Sequence, residues 1–289
     1  MLQNVVHLII RDCGITAPPN LWWCLAAYFG HPCLRSLSIL TAYVPALVLS
    51  HAASSVPHVE LRDVRVDAHG AHPPAEIPSA QLTLAHLQFS YCNYDDGTKM
   101  TPMHILSYLH GLKWLEIELA YEEDLDNLTK VAQVCKHGLE QISLSRRVMS
   151  GPFYQLPNFP PMESLRFIEL RFFTFSGMVG LSDLLATIPT ASQIPCIEAI
   201  KMSIEYADFV VSTRGPEFDF DAGLMSHPYL HRMCFRLVFK SASSIDGGRS
   251  VLGEYIRKQL LKTQESGVLV TVTVESKSTQ SACPESTQR

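Results

Sequence analysis

Clusters of basic residues and long apolar runs are both missing from this sequence. No run of Lys or Arg is longer than a pair such as Arg146–Arg147, and the formal net charge is −5 at pH 7. Because nucleic-acid binders usually carry a basic excess or patch, we expect no nucleic-acid partner. No stretch approaches the ~18 apolar residues of a transmembrane helix, and MLQNVVHLII lacks the features of a signal peptide. We therefore expect an intracellular protein, cytoplasmic or nuclear, without membrane association.

Also absent is any Cys-x-x-Cys pair, although the chain has eight cysteines. Most of them lie in apolar segments, such as Cys135 in AQVCKH and Cys234 in RMCFRL. Free cysteine behaves as a small buried hydrophobe, so we predict reduced core thiols rather than a disulfide scaffold. Cys24, His31 and Cys33 are close in sequence, but a fourth ligand at zinc spacing is missing.

Motifs for catalysis and for nucleotide binding are missing too. The chain has no P-loop, no G-x-G-x-x-G and no G-x-S-x-G. His69 and His72 lie in a Pro-rich loop without a third ligand nearby. The acidic group Glu122–Asp126 directly precedes or opens a predicted helix, where carboxylates cap free N–H groups. EFDFDAG (217–223) lacks the Glu and second Gly of a calcium loop. We predict a protein that is not an enzyme and has no catalytic residue, cofactor or metal site.

What the sequence does contain is a repeat of the form h-x-x-h-x-h, where h is apolar. LKWLEIEL (112–119) is one copy of nine. Neighbouring copies are on average about 28 residues apart, near the upper end of the leucine-rich-repeat period. The middle apolar residues are Leu8, Leu37, Val59, Leu87, Leu115, Ile142, Ile168, Ile200 and Met233. The h-x-h alternation puts two side chains on one strand face, which stacking in a parallel sheet then buries.

Parallel neighbours need crossover connections, and several intervals predict helices. These are LWWCLAAYF (21–29), MTPMHILSYLHG (100–111), LDNLTKVAQVCKHG (125–138), LSDLLATI (181–188) and VLGEYIRKQLLKTQESG (251–267). Pro-rich segments at 68–78 and 151–161 predict loops, and 206–228 is a longer insertion. VLVTVTV (268–274) predicts a final strand. We therefore predict one domain over 1–275, and a disordered polar tail over 276–289.

The nine copies resemble the leucine-rich repeat, most of all the irregular repeats of fungal, basidiomycete-type F-box/leucine-rich-repeat proteins. LRSLSIL, LKWLEIEL and SLRFIEL carry the likeness, which covers roughly residues 4–275. It implies an α/β solenoid with a curved parallel sheet of about 9–10 strands, and with helices and loops on the convex side. The family has an Asn or Cys three residues beyond the last Leu. Cys13 and Cys92 match it, whereas Ala42, Val64, Ala120, Arg147 and Phe173 do not.

Family members of the F-box type carry an N-terminal helical module that docks a ubiquitin-ligase adaptor. Here the first repeat strand begins at Val5, so we expect no such module, and we do not expect the adaptor to bind.

Residues that flank the last two apolar positions of each copy point away from the core. The resemblance places them on the concave face, where solenoids usually bind partners. The candidate partner-binding residues are His58, Glu60, Arg62, His86, Gln88, Trp114, Glu116, Glu118, Phe167, Glu169 and Arg171. Trp114 and Phe167 are predicted to lie two strands apart in one row, about 10 Å from each other.

The sequence thus favours a non-enzymatic protein-interaction module with an unknown protein partner. Three alternatives stay open: a truncated substrate-recognition subunit of a ubiquitin ligase, an enzyme with an unrecognised site, and a vestigial gene product.

Overall fold

The computed structural model describes residues 5–14, 19–67, 84–90, 93–94, 109–119, 123–148, 159–174, 190–206, 224, 226–239, 256–258 and 260–276. These residues form one sheet of eleven strands. The strands are β1 (His7–Arg11), β2 (Ser36–Pro45), β3 (His58–Asp67), β4 (His86–Ser90), β5 (Asn93–Tyr94), β6 (Trp114–Leu119), β7 (Gln141–Val148), β8 (Phe167–Thr174), β9 (Ala199–Tyr206), β10 (Arg232–Phe239) and β11 (Leu269–Ser276).

Every strand pairing in this sheet is parallel. Ten strands follow one another in chain order, while the two-residue β5 pairs with β3 after the end of β4. The register aligns the repeat copies position by position, so that Leu115 lies beside Ile142, and Ile142 beside Ile168. All nine predicted repeat strands and the predicted last strand are therefore confirmed, as are the α/β class and the single open parallel sheet.

Four helices have described bounds: α1 (Pro19–Phe29), α2 (Ala46–Ser55), α3 (Glu123–Cys135) and α4 (Leu261–Glu265). The helices predicted over 21–29 and 125–138 correspond to α1 and α3 and are confirmed. Of the predicted helix over 251–267, residues 251–255 and 259 lie outside the described residues, and the described part contains the helical stretch 256–258 and α4. The repeat pattern did not single out α2. Most of 100–111, all of 181–188, the loop at 68–78 and the tail from 277 lie outside the described residues.

One apolar core fills the space between the sheet and the helices. Leu115, Ile142 and Ile168 are each at most 2% exposed, as the register predicts for stacked inward positions. Leu128 and Val131 of α3 belong to the same core. Complete burial of one such aliphatic side chain contributes roughly 1.5–3 kcal/mol, so the repeated stack is the main source of stability.

Just after the repeat motif, the first three copies each contain one residue with positive φ. Asp12, Thr41 and Asp63 all have positive φ, at 58°, 49° and 52°. Each contributes one extra residue before the inward-pointing pattern resumes, as it does at Ala42 and Val64. Backbone bonds hold this corner: Asp12 N donates to Leu40 O at 3.1 Å, and Tyr43 N donates to Cys13 O at 2.7 Å. The corner at Asp12 and Thr41 is therefore held by backbone hydrogen bonds.

The cysteine prediction is right in one respect and wrong in another. Six cysteines are described, and all are free thiols. Cys135 is buried, and burial raises the pKa of its thiol to about 12. Cys24 is exposed, however, because it lies on the outer side of α1, whereas Trp22 and Ala26 enter the core. The other four described cysteines, Cys13, Cys33, Cys196 and Cys234, are half-buried, so of the six described thiols the core contains Cys135 alone. An apolar segment therefore did not guarantee a buried thiol, since a helix buries only one face.

Candidate functional site

The side chains that alternate with the core positions form three rows across the sheet, on the face opposite the helices. We call this face the open face. The first row is His7, Ser36, His58, His86, Trp114, Gln141, Phe167, Ala199, Arg232 and Leu269. The second row lies two residues further along each strand, and the third row lies four residues further. All eleven candidate residues fall in these rows, on β3, β4, β6 and β8.

Three rings of the first row stack on one another. The His58 and His86 ring centroids are 4.1 Å apart, and those of His86 and Trp114 are 4.0 Å apart with planes only 3° from parallel. Because the strands place equivalent residues about 4.8 Å apart, identical positions on adjacent strands are ideal for such a stack. One face of the Trp114 indole is thus covered by His86, and the opposite face is turned toward β7. The Trp114 side chain remains 37% exposed.

This stack keeps its imidazoles neutral. Burial and, to a smaller extent, the neighbouring His58 together lower the pKa of His86 to about 4. Burial also lowers the pKa of His58, an effect that Glu60 opposes. Nε2 of His86 is buried without a hydrogen-bond partner among the described residues. At neutral pH the stack therefore presents an uncharged, largely apolar surface that ends at Trp114.

A network of charges lies next to the stack, centred on Glu169. Its carboxylate accepts from Arg171 Nη2 at 2.8 Å and from Lys201 Nζ at 2.8 Å, and Ser143 Oγ donates to it at 3.4 Å. Glu169 is 6% exposed. Burial alone would raise the pKa of this carboxyl, but the hydrogen bonds from Arg171 and Lys201 outweigh it and hold the pKa below its usual value. Glu169 therefore positions two cations and offers little surface of its own.

Arg171 also connects strands that are not neighbours. Its Nη1 donates to Glu116 Oε1 at 3.0 Å, which joins β8 to β6 across β7. The two residues of β7 beneath this span are Ser143 and Ser145, both small. A long side chain at either position would fill the path of the guanidinium, so the pairing depends on the small residues between its partners.

A smaller polar group lies on β2 and β3. Ser38 Oγ donates to Glu60 Oε2 at 2.7 Å, and Arg62 Nη2 lies 3.2 Å from Glu60 Oε1. Arg62 is well exposed, whereas Glu60 is mostly covered. Gln88 on β4 is half-buried in the second row, between Glu60 and Glu116. Glu118 and Phe167 are half-buried in the third and first rows.

Several contacts on the open face were not predicted from the repeat pattern. The rows predicted the neighbours correctly, but the ring stack, the burial of Ser143 and the part played by Lys201 were not foreseen. One signal was present: His58, His86 and Trp114 occupy the same template position in three consecutive copies. Flat rings at equivalent positions on adjacent parallel strands favour stacking, and a comparison of copies by position rather than by residue type would have found it.

Within the described part of the chain, no group of three or more His, Cys, Asp or Glu side chains is arranged to hold a metal ion. Helix α3 begins at Glu123, in agreement with the predicted helix start at the acidic group. Glu122, the side chains of Glu123, Asp124 and Asp126, both His69 and His72, and the segment 217–223 lie outside the described residues. Among the described helices, none has the length and apolar character needed to cross a bilayer. No protein-family model matches the chain, and no curated protein matches it either.

Proposed function

We propose that this protein is a non-enzymatic interaction module, a curved leucine-rich-repeat-like solenoid whose open face is concave and binds a protein partner. The observation that carries the proposal is Trp114, which is 37% exposed, ends the stack of three rings and lies on a middle strand of the first row. Interface anchors are enriched in Trp and in Arg, and they lie near the centre of the contact surface.

Pre-organisation supports Trp114 as the anchor. Its indole already rests on His86, so little side-chain freedom is lost when a partner covers the other face. Arg171, Glu116 and Glu169 are likewise fixed by mutual hydrogen bonds. These charges orient a partner, while the apolar ring area contributes more of the affinity.

The test compares Trp114→Ala with Tyr229→Ala, a control that removes another exposed aromatic side chain, from a loop outside the three rows. Both purified variants and the wild type are used to capture proteins from lysate, and captured proteins are quantified by mass spectrometry. We expect a specific partner to be reduced about tenfold by Trp114→Ala and unchanged by Tyr229→Ala. Thermal melting of the same samples separates lost contact from lost folding, since the stack should contribute only about 0.5–1.5 kcal/mol.

Equal capture by wild type and Trp114→Ala, with both folded, would contradict the proposal. Hydrogen exchange on the recovered complex gives a second reading: protection should appear in β4, β6, β7 and β8. Protection confined to the helices would place the interface on the opposite side of the sheet. A ligase adaptor among the captured proteins would favour the substrate-recognition alternative instead.

A further inference from the structure

Two strands of the open face, β6 and β10, carry net charges of opposite sign. β6 contributes Trp114, Glu116 and Glu118 to the three rows, which is two acidic groups and no basic one, a formal −2. β10 contributes Arg232, Cys234 and Arg236, which is two basic groups and no acidic one, a formal +2. The face therefore has an acidic, aromatic strand and a basic strand.

The strands between them carry much less net charge. The three row positions of β7 are Gln141, Ser143 and Ser145, all neutral. In β8, Glu169 and Arg171 are paired with each other, and β9 adds one cation, Lys201, which Glu169 also binds. The charged residues in the rows of β7 to β9 are paired, so the opposite net charges of β6 and β10 remain separate.

Three of the four charged residues on β6 and β10, Glu116, Glu118 and Arg236, already have interactions within the chain. Arg236 binds Glu275 at 2.7 Å, and Glu116 shares Arg171 with Glu169. Arg232 is different, because it is exposed in the first row and forms no ion pair with a described residue. Its guanidinium is therefore open to an outside carboxylate.

The first row connects the two strands by a neutral path. From Trp114 it passes Gln141, Phe167 and Ala199 to reach Arg232. Four strand steps of about 4.8 Å give roughly 19 Å, and Phe167 lies halfway, at roughly 10 Å. A peptide in the extended polyproline II conformation advances about 3.1 Å per residue with about three residues per turn, so it covers the path in about six residues and reaches Phe167 in about three, with all three contact residues on one side.

We propose, as a refinement that rests on the proposed function, that the open face binds an extended peptide running across the strands along the first row. A cationic side chain of the peptide lies on the free face of the Trp114 indole, beside the carboxylates of β6. An apolar side chain three residues away contacts Phe167, and an acidic side chain six residues away pairs with Arg232. Cations are attracted to the face of Trp, and the nearby carboxylates add to this attraction.

The same polarity argues against a polyanion as the occupant. A phosphate backbone would gain at Arg232 but would then run over Glu116 and Glu118, where like charges repel it. A peptide with a basic and an acidic side chain at a fixed distance can pair with the carboxylates of β6 and with Arg232 at the same time.

The first experiment uses three fluorescein-labelled Gly/Ser decapeptides and fluorescence anisotropy. The main peptide carries an arginine, a phenylalanine three residues later and an aspartate three residues after that; a second has the order reversed, because the peptide direction is open. A third keeps the same residues but has only two between arginine and aspartate. We expect one of the first two to bind, and the third to bind at least about tenfold more weakly.

Charge exchange provides the matched test of Arg232. Arg232→Glu should weaken the binding peptide by at least about threefold, and should bind better a peptide whose aspartate is replaced by lysine. Lys130→Glu makes the same charge change at an exposed position of helix α3, on the other side of the sheet, and should leave binding unchanged. Equal effects of the two variants, or no rescue by the lysine peptide, would overturn the assignment of Arg232.

A random twelve-residue peptide library, selected on wild type and on Trp114→Ala, distinguishes the two proposals. Enrichment of basic–apolar–acidic spacing on wild type alone supports both. Enriched peptides that depend on Trp114 but lack this spacing overturn the peptide inference and leave the proposed function standing. Peptides enriched equally on both proteins, or none at all, count against both.

Discussion

Mild acid should destabilise this protein through the ring stack, and His86 is the residue responsible. Its pKa is about 4 in the folded chain, against an ordinary value of 6.5. A histidine with a lowered folded pKa binds fewer protons when folded than when unfolded. The contribution of neutral His86 to the free energy of unfolding is therefore complete above pH 6.5 and is lost progressively as the pH falls from 6.5 toward 4.

The magnitude follows from that interval. At pH 5 the two pKa values give a loss of about 2 kcal/mol relative to pH 7, with 1.36 kcal/mol for each factor of ten. The imidazole is only partly buried, so solvent screening reduces this to about 1 kcal/mol. The carboxyls with lowered pKa values, Glu169 and Glu275, lose their contribution only below their ordinary 4.5, which leaves pH 5 to 7 as the window for histidine.

The assay is urea unfolding at pH 7 and pH 5 of the wild type and of His86→Phe, which keeps a flat ring in the stack but does not titrate. Between pH 7 and pH 5 the free energy of unfolding should fall by about 1 kcal/mol more in the wild type than in His86→Phe. His231→Phe serves as the control, since His231 is exposed before β10 and lies outside the stack. If His86→Phe and wild type lost the same amount, His86 would not be kept neutral by the stack.

Two further predictions concern the core and the backbone. Leu115→Ala should lower the free energy of unfolding by roughly 2–5 kcal/mol, measured by chemical denaturation, because the residue is 1% exposed in the stacked core; a loss below about 0.5 kcal/mol would mean a register shifted by one residue. Thr41→Gly should raise it by up to about 1 kcal/mol, because a β-branched residue at φ 49° carries strain of about 1–2 kcal/mol that glycine avoids at a smaller entropic cost. Thr271→Gly, in an exposed strand position without positive φ, should instead be destabilising, and a similar loss in both variants would argue against strain at Thr41.

The sequence predicted the sheet because its signal is repeated. Each copy puts apolar residues such as Leu115 and Ile142 at equivalent positions, so errors in one copy are corrected by the next, and the register follows from the alignment. The rows of the open face follow from the same alternation. Helix α2 was not singled out because its apolar residues, Val48, Leu49, Ala52 and Ala53, form a short patch between two strands.

Contacts within the rows were harder to predict. That Glu169 would be buried, and Trp114 partly covered, depends on which neighbours are long and which are small. Ser143 and Ser145 leave room for Arg171, a property of several copies taken together rather than of one motif. Positive φ at Thr41 has no signature in the sequence, since a β-branched residue rarely adopts this conformation.

The span from Arg171 to Glu116 has a consequence for how such a chain can change its length during evolution. Backbone pairing joins each strand only to the next, and it would tolerate the gain or loss of a whole copy almost anywhere. The Arg171–Glu116 pair instead requires that one strand, with small side chains, separates its partners. Duplication or deletion of the copy that contains β7 would therefore break it and leave Glu116 without its cation. The gain or loss of a copy before β6 or after β9 leaves the Arg171–Glu116 spacing unchanged. This ion pair therefore allows copy number to vary at the ends of the array but not between β6 and β8.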